Sequence, residues 1–185
     1  MNIFIRLLLL TVLLVSVMSL NGQDSKPAAP DRDDKLSGLD FMVGEWVGEG
    51  WIQIGRERKT FTARESLERK LDGSLLVVDG LGRSVDEKTG VEKVVHQAYG
   101  IFYYDYDSRK VLFRFFKADG PAGLSEPVFS KNKVVWGFVA EPTKSEVRFT
   151  ELLDEEGNWV EKGEVMLKGR NEWIQFFFMK LKRVE

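Results

Sequence analysis

Chemistry has few places to start in this chain. Among 185 residues there is one histidine, His96, and no cysteine. Without thiols there are no disulfides, thiolate zinc sites, cysteine nucleophiles or N-terminal lipid attachments. One imidazole excludes multi-histidine metal sites, and no metal is expected. His96 could act as acid or base, ligate a metal or donate to a ligand. It could equally be a hydrogen-bonded strand histidine with no ligand. A Ser-His-Asp triad lacks the supporting Gly-x-Ser-x-Gly turn, so no catalytic residue is assigned.

Arg114 interrupts an apolar run, between Phe113 and Phe115. Turned inward, its guanidinium would need a carboxylate partner and could grip a ligand carboxylate. Turned outward, it would simply face water. Glu65 and Glu68 lie among basic residues. Residues three apart on a strand point to opposite faces, so these two do not form the carboxylate pair of glycoside hydrolysis. Solvated surface charge is the expectation for both. Gly80-Leu81-Gly82-Arg83 lacks the third glycine of a nucleotide loop and reads as a strand end. Aromatic residues make up 12% of the chain, including five tryptophans. Such rings can wall a pocket for an apolar or planar ligand, and they also fill cores. Trp136 and Phe177 are the candidate walls. His96, Tyr104 and Arg114 are the candidate polar groups that would orient a ligand.

The elements that must position these residues are strands. Short runs of Val, Ile, Phe, Tyr and Trp end at Gly, Asp, Asn or Pro clusters, among them Leu71-Asp72-Gly73, Asp119-Gly120-Pro121 and Glu155-Glu156-Gly157-Asn158. This spacing indicates about ten antiparallel strands and an all-β fold. Alternation places Trp46, Gly48, Gly50, Ile52 and Ile54 on one face, and Val134, Trp136 and Phe138 on another. His96 shares its face with Val94, Ala98, Gly100, Phe102 and Tyr104 if that strand is unbroken, and Gly100 is the expected bulge. The last strand is apolar on both faces, which suits a covered outer face or a homodimer surface. Lys35 to Val43 suggests a short helical turn. Thr62 to Lys70 is read as a strand entering a hairpin. A sheet of this many strands loses its free edges by closing, so a single barrel with a ligand-sized interior is expected.

Residues 1–22 read as a secretory signal peptide: Arg6, then an apolar stretch, then small residues. Residues 23–35 are charged and proline-containing, and read as a flexible linker. The barrel domain spans 36–185. The expected location is secreted or periplasmic, with no membrane association after cleavage. Net charge is −2, which gives no reason to expect a nucleic-acid partner.

Leu39-Asp40-Phe41-Met42-Val43-Gly44-Glu45-Trp46 resembles the opening motif of lipocalins and their calycin relatives. The resemblance implies that Gly44 and Trp46 are structural. The tryptophan would plug the barrel floor under a basic residue of the last strand, Lys182 or Arg183. Gly44 to Gly50, Leu71-Asp72-Gly73, Tyr99-Gly100 and Asp105 together resemble uncharacterised bacterial calycin-like domains. Related nitrobindin-like barrels bind haem through a late-strand histidine, and this chain has no histidine after His96. Haem would need His96, Met179 or a tyrosine as axial ligand, so no cofactor is assigned.

The expected function is non-catalytic binding of a small apolar or aromatic molecule inside the barrel. One alternative is a hydrolase or isomerase using His96 with a buried carboxylate. Another is an interaction module with a filled barrel.

Overall fold

The computed structural model describes residues 34–184, except positions 87 and 142. The signal peptide expected over 1–22 lies outside the described residues, as does the linker up to residue 33. Asp34, at the end of the linker, is tied to the fold. Asp34 accepts a hydrogen bond from the Leu36 backbone N–H at 3.0 Å and pairs with Arg69 at 3.1 Å.

A 3-10 helix, Ser37–Met42, precedes eleven strands. These are β1 (Gly44–Ile54), β2 (Glu57–Lys70), β3 (Leu75–Val85), β4 (Glu92–Asp105), β5 (Lys110–Lys117), β6 (Ala122–Ser125), β7 (Val128–Ser130), β8 (Lys133–Ala140), β9 (Ser145–Leu153), β10 (Trp159–Met166) and β11 (Ile174–Arg183). The fold is all-β, as expected, with short β6 and β7 included in the count.

The strands form one antiparallel sheet in the order β6-β5-β4-β3-β2-β1-β11-β10-β9-β8-β7. First and last strands pair at its centre, with Trp46 opposite Arg183 and Gly50 opposite Met179. The sheet curls into a half-barrel that brings its two ends together. A side chain rather than a ladder bridges this seam: the Gly137 backbone N–H of β8 donates to the Ser125 hydroxyl of β6 at 3.0 Å.

The strand chosen for Thr62 to Lys70 is β2. It turns at Leu71 and Asp72, both in the left-handed region, followed by Gly73. Alternation holds along β1 and β8. Trp46 and Val134 are fully buried, while Trp51 lies outside beneath the Arg58 guanidinium.

Two bulges change the expected faces. On β4 the extra residue is Val95, between His96 (opposite Gly82) and Val94 (opposite Arg83). Val94 is therefore exposed, and Val95 packs toward the core. Gly100, the expected bulge, pairs regularly with Val78 and Phe115. On β11 the extra residue is Phe176, between Gln175 (opposite Glu164) and Phe177 (opposite Gly163). A bulge sets consecutive residues toward one side. Phe176 and Phe177 both enter the interior for this reason, which takes Phe176 off the outer face where strict alternation would put it.

One end of the half-barrel is closed. Leu36, Leu39 and Met42 cover it with Trp46, Leu67, Leu76, Val134, Trp159 and Leu181, all at most 2% exposed. The Trp46 indole N–H donates to the Met42 carbonyl at 2.7 Å, and the Arg183 guanidinium lies 4.1 Å above its ring. Arg183 also donates to the Val43 and Phe41 carbonyls, tying the 3-10 helix to the last strand. Gly44 has φ +132, and a side chain there would run into that guanidinium. Of the two basic residues considered for this position, Arg183 fills it.

Candidate functional site

Inside the sheet is a cavity of about 310 Å³, within the size range of small-molecule sites. Its walls are mostly rings: Phe113 and Phe115 of β5, Trp136 and Phe138 of β8, Phe149 of β9, and the bulged pair Phe176 and Phe177. The rings brace one another. Trp136 stacks on Phe149 with centroids 4.5 Å apart, and meets Phe113 edge-on at 4.8 Å.

Both expected walls, Trp136 and Phe177, line the cavity, as does His96. The other two expected residues are elsewhere. Arg114 is exposed on the outer face, because Phe113 and Phe115 take the inward positions on either side of it. Tyr104 follows Phe102 on the inner face but lies beyond the cavity, edge-on to Tyr106 at 5.1 Å and beneath the Lys35 amine.

Three carboxyl groups line the cavity instead: Glu65 of β2, Glu151 of β9 and Glu161 of β10. The reading of Glu65 as solvated surface charge is wrong. It is 4% exposed, in an inward file with Phe61, Ala63 and Leu67. Glu68 points the other way and pairs with Lys70. Glu65 has room because the residue opposite it is Gly80, where any side chain would fall on its carboxyl oxygens. Glu151 is also 4% exposed and accepts a hydrogen bond from the Trp136 indole N–H. Glu161 stands directly opposite Glu151 across the β9–β10 ladder.

Burial makes the charged forms of these acids unfavourable. It lifts Glu65 to about 8, with Glu151 and Asp79 adding repulsion. It lifts Glu151 to about 7, against the pull of the Trp136 hydrogen bond. It holds Glu161 well above the usual carboxylate range, with Glu151 and Glu65 contributing. The cluster therefore keeps protons at neutral pH. Among the described residues, no group of His, Asp and Glu side chains is spaced to hold a metal ion.

Register gives the cavity an axis. Trp159, Glu151 and Glu65 lie toward the end closed by Trp46, which is paired with Glu65. His96, Lys117 and Ala140 lie toward the other end, near the β5–β6 and β8–β9 turns. Lys117 is exposed there and pairs with Asp119 at 3.3 Å. His96 is held below its usual value by burial, then by Lys117, with Asp119 opposing. The interior thus has an acidic floor and a basic rim. No hydrogen bond joins His96 to a carboxylate among the described residues, which leaves the imagined acid–base pair unassembled.

The haem ligands fare similarly. Met179 is buried away from the cavity lining, and Tyr104 lies beyond it. His96 reaches the interior, with its ring 6.2 Å from Phe177, and Tyr99 touches the lining but is 44% exposed. A single rim imidazole facing a phenyl ring is a poor fit to haem.

No family model and no curated protein matches the chain. Among solved structures, the crystal structure of Rv2717c from M. tuberculosis is similar, with a TM-score of 0.58 and 12% sequence identity. The match covers 81% of this chain and 97% of that one. At this identity the likeness supports the curled antiparallel β-barrel fold.

Proposed function

We propose that this is an exported protein that encloses a small apolar or aromatic molecule in its barrel, without catalysing its conversion. The observation that carries this reading is the ring-lined cavity of about 310 Å³ above a floor sealed by Trp46. A filled barrel would leave no such space. The driving force is desolvation: burying about 200 Å² of apolar ligand surface is worth on the order of 5 kcal/mol. The Phe176 bulge supports the reading, because it sends an extra ring into the wall at the cost of a regular ladder. Release outside the cytoplasm follows from the signal-like residues 1–22 and is part of the same proposal.

Native mass spectrometry of the protein purified from its own host tests this reading. A mass excess for one small molecule per chain, lost on denaturation, is expected. An unliganded mass that stays unchanged after incubation with a panel of small aromatic compounds would overturn it. The same spectra report whether the chain forms a homodimer.

A further inference from the structure

We infer that the ligand carries a protonated amine on its apolar body, and that this end enters first and comes to rest among Glu65, Glu151 and Glu161. This rests on the reading of the cavity as a binding site and specifies its ligand class.

The first support is unsatisfied hydrogen-bonding capacity at the floor. Among the described residues, Glu65 makes no hydrogen bond although it is 96% buried, and half-buried Glu161 makes none either. Buried polar groups are ordinarily paired, so the bare Glu65 carboxyl in the cavity wall points to a partner from outside the chain. The second support points to a ligand at the same place, not to its charge. The Trp159 indole N–H is buried with no acceptor, and Trp159 lines the same cavity. An oxygen beside the ligand's amine, or a glutamate freed of its proton, supplies that acceptor.

Charge selects the amine. The floor has three acids, with Asp79 of β3 close enough to repel Glu65, and the basic groups of the lining are at the far end. Lys117 is engaged with Asp119, and His96 stays neutral beside it. An ammonium group brings hydrogen-bond donors and the counter-charge that lets one of these acids ionise. It also lies among the rings of Trp136, Trp159 and Phe149, whose faces attract cations. The proton balance is simple: the ammonium keeps its protons, one glutamic acid becomes glutamate, and the displaced proton passes to the buffer. An anionic ligand head would meet only repulsion once any of these acids ionises.

A matched pair of probes tests this. 1-Naphthylmethylamine and 1-naphthylmethanol share one aromatic body and differ in the charged head. Calorimetry at pH 7, in two buffers of different ionisation heat, should give at least about tenfold tighter binding of the amine, with proton release approaching one per site. Glu65→Gln should reduce that preference to within about threefold. Should Glu65→Gln misfold, Glu161→Gln and the wild-type proton release supply the same readout. Equal affinities for the two probes, or amine binding without proton release, would overturn the inference while leaving the binding role intact. Failure of both probes to bind would overturn the binding role, and this inference with it.

Discussion

Glu151 and Glu161 face each other directly across the β9–β10 ladder, and both turn toward the barrel interior. Two like charges in that relation repel, so the folded protein keeps at least one of them protonated. Glu65 adds a third acid to the same space. The central property of the interior follows: an apolar, ring-walled chamber with a protonated acidic floor.

Stability should therefore fall as pH rises through neutrality. The unfolded chain releases these protons near the ordinary value of 4.5, while folded Glu151 and Glu65 hold them to about 7 and about 8. Between those limits the folded state binds more protons, so the slope of stability against pH is negative. At its steepest each group contributes about 1.4 kcal/mol per pH unit. Urea denaturation at intervals from pH 5 to pH 9 should show a midpoint that declines through pH 7 and pH 8. Glu65→Gln should flatten the decline and make the protein more stable than wild type at pH 8.

Gly80 and Glu65 should be coupled. A side chain at position 80 would strike the Glu65 carboxyl, so Gly80→Ala should cost about 1–3 kcal/mol. Combined with Glu65→Ala, most of that cost should disappear, because the obstructing group is gone. A double-mutant cycle measured by denaturation gives the coupling directly. Strict additivity would mean that Glu65 does not occupy this position.

Trp46 should carry the closed end. Trp46→Phe removes the indole N–H that bonds the Met42 carbonyl and leaves part of a fully buried site empty. A loss of about 2–4 kcal/mol is expected, read by chemical denaturation. The helix Ser37–Met42 should also lose hydrogen-exchange protection in this variant before the strands do.

Arg114→Ala should leave the affinity for 1-naphthylmethanol unchanged within about twofold, because Arg114 sits outside the wall. Phe177→Ala should weaken it by at least about tenfold, because that ring lines the cavity. Fluorescence titration of the two variants side by side separates inner from outer positions on strands that alternate.

The fold was legible because its signal is repetitive. Alternating apolar residues in β1 and β8, and turn clusters such as Leu71-Asp72-Gly73, state the same architecture many times. The site was less legible because it depends on single exceptions. Val95 and Phe176 each add one residue to a ladder, and nothing in the local sequence separates a bulge from a regular strand. Glu65 was hidden by its neighbours: Arg64, Glu68, Arg69 and Lys70 make the segment look solvated. Its signal was the every-second-residue file Phe61, Ala63, Glu65, Leu67, with a carboxylate where an apolar residue belongs. Glu151 follows the same rule between Phe149 and Leu153, as does Glu161 between Trp159 and Gly163. Arg114 breaks an apolar run too, yet lies outside, since Phe113 and Phe115 already claim the inward positions. Registering the charge with the nearest buried rings separates these cases.

The most direct measurement is a calorimetric titration of 1-naphthylmethanol into wild type and into Ala98→Trp, whose new ring would fill the cavity from β4. Wild type should bind one equivalent saturably. The filled variant should bind at least about tenfold more weakly while keeping its far-UV circular dichroism spectrum. No saturable binding by wild type, or equal binding by the folded, filled variant, would contradict the claim that the barrel encloses a ligand.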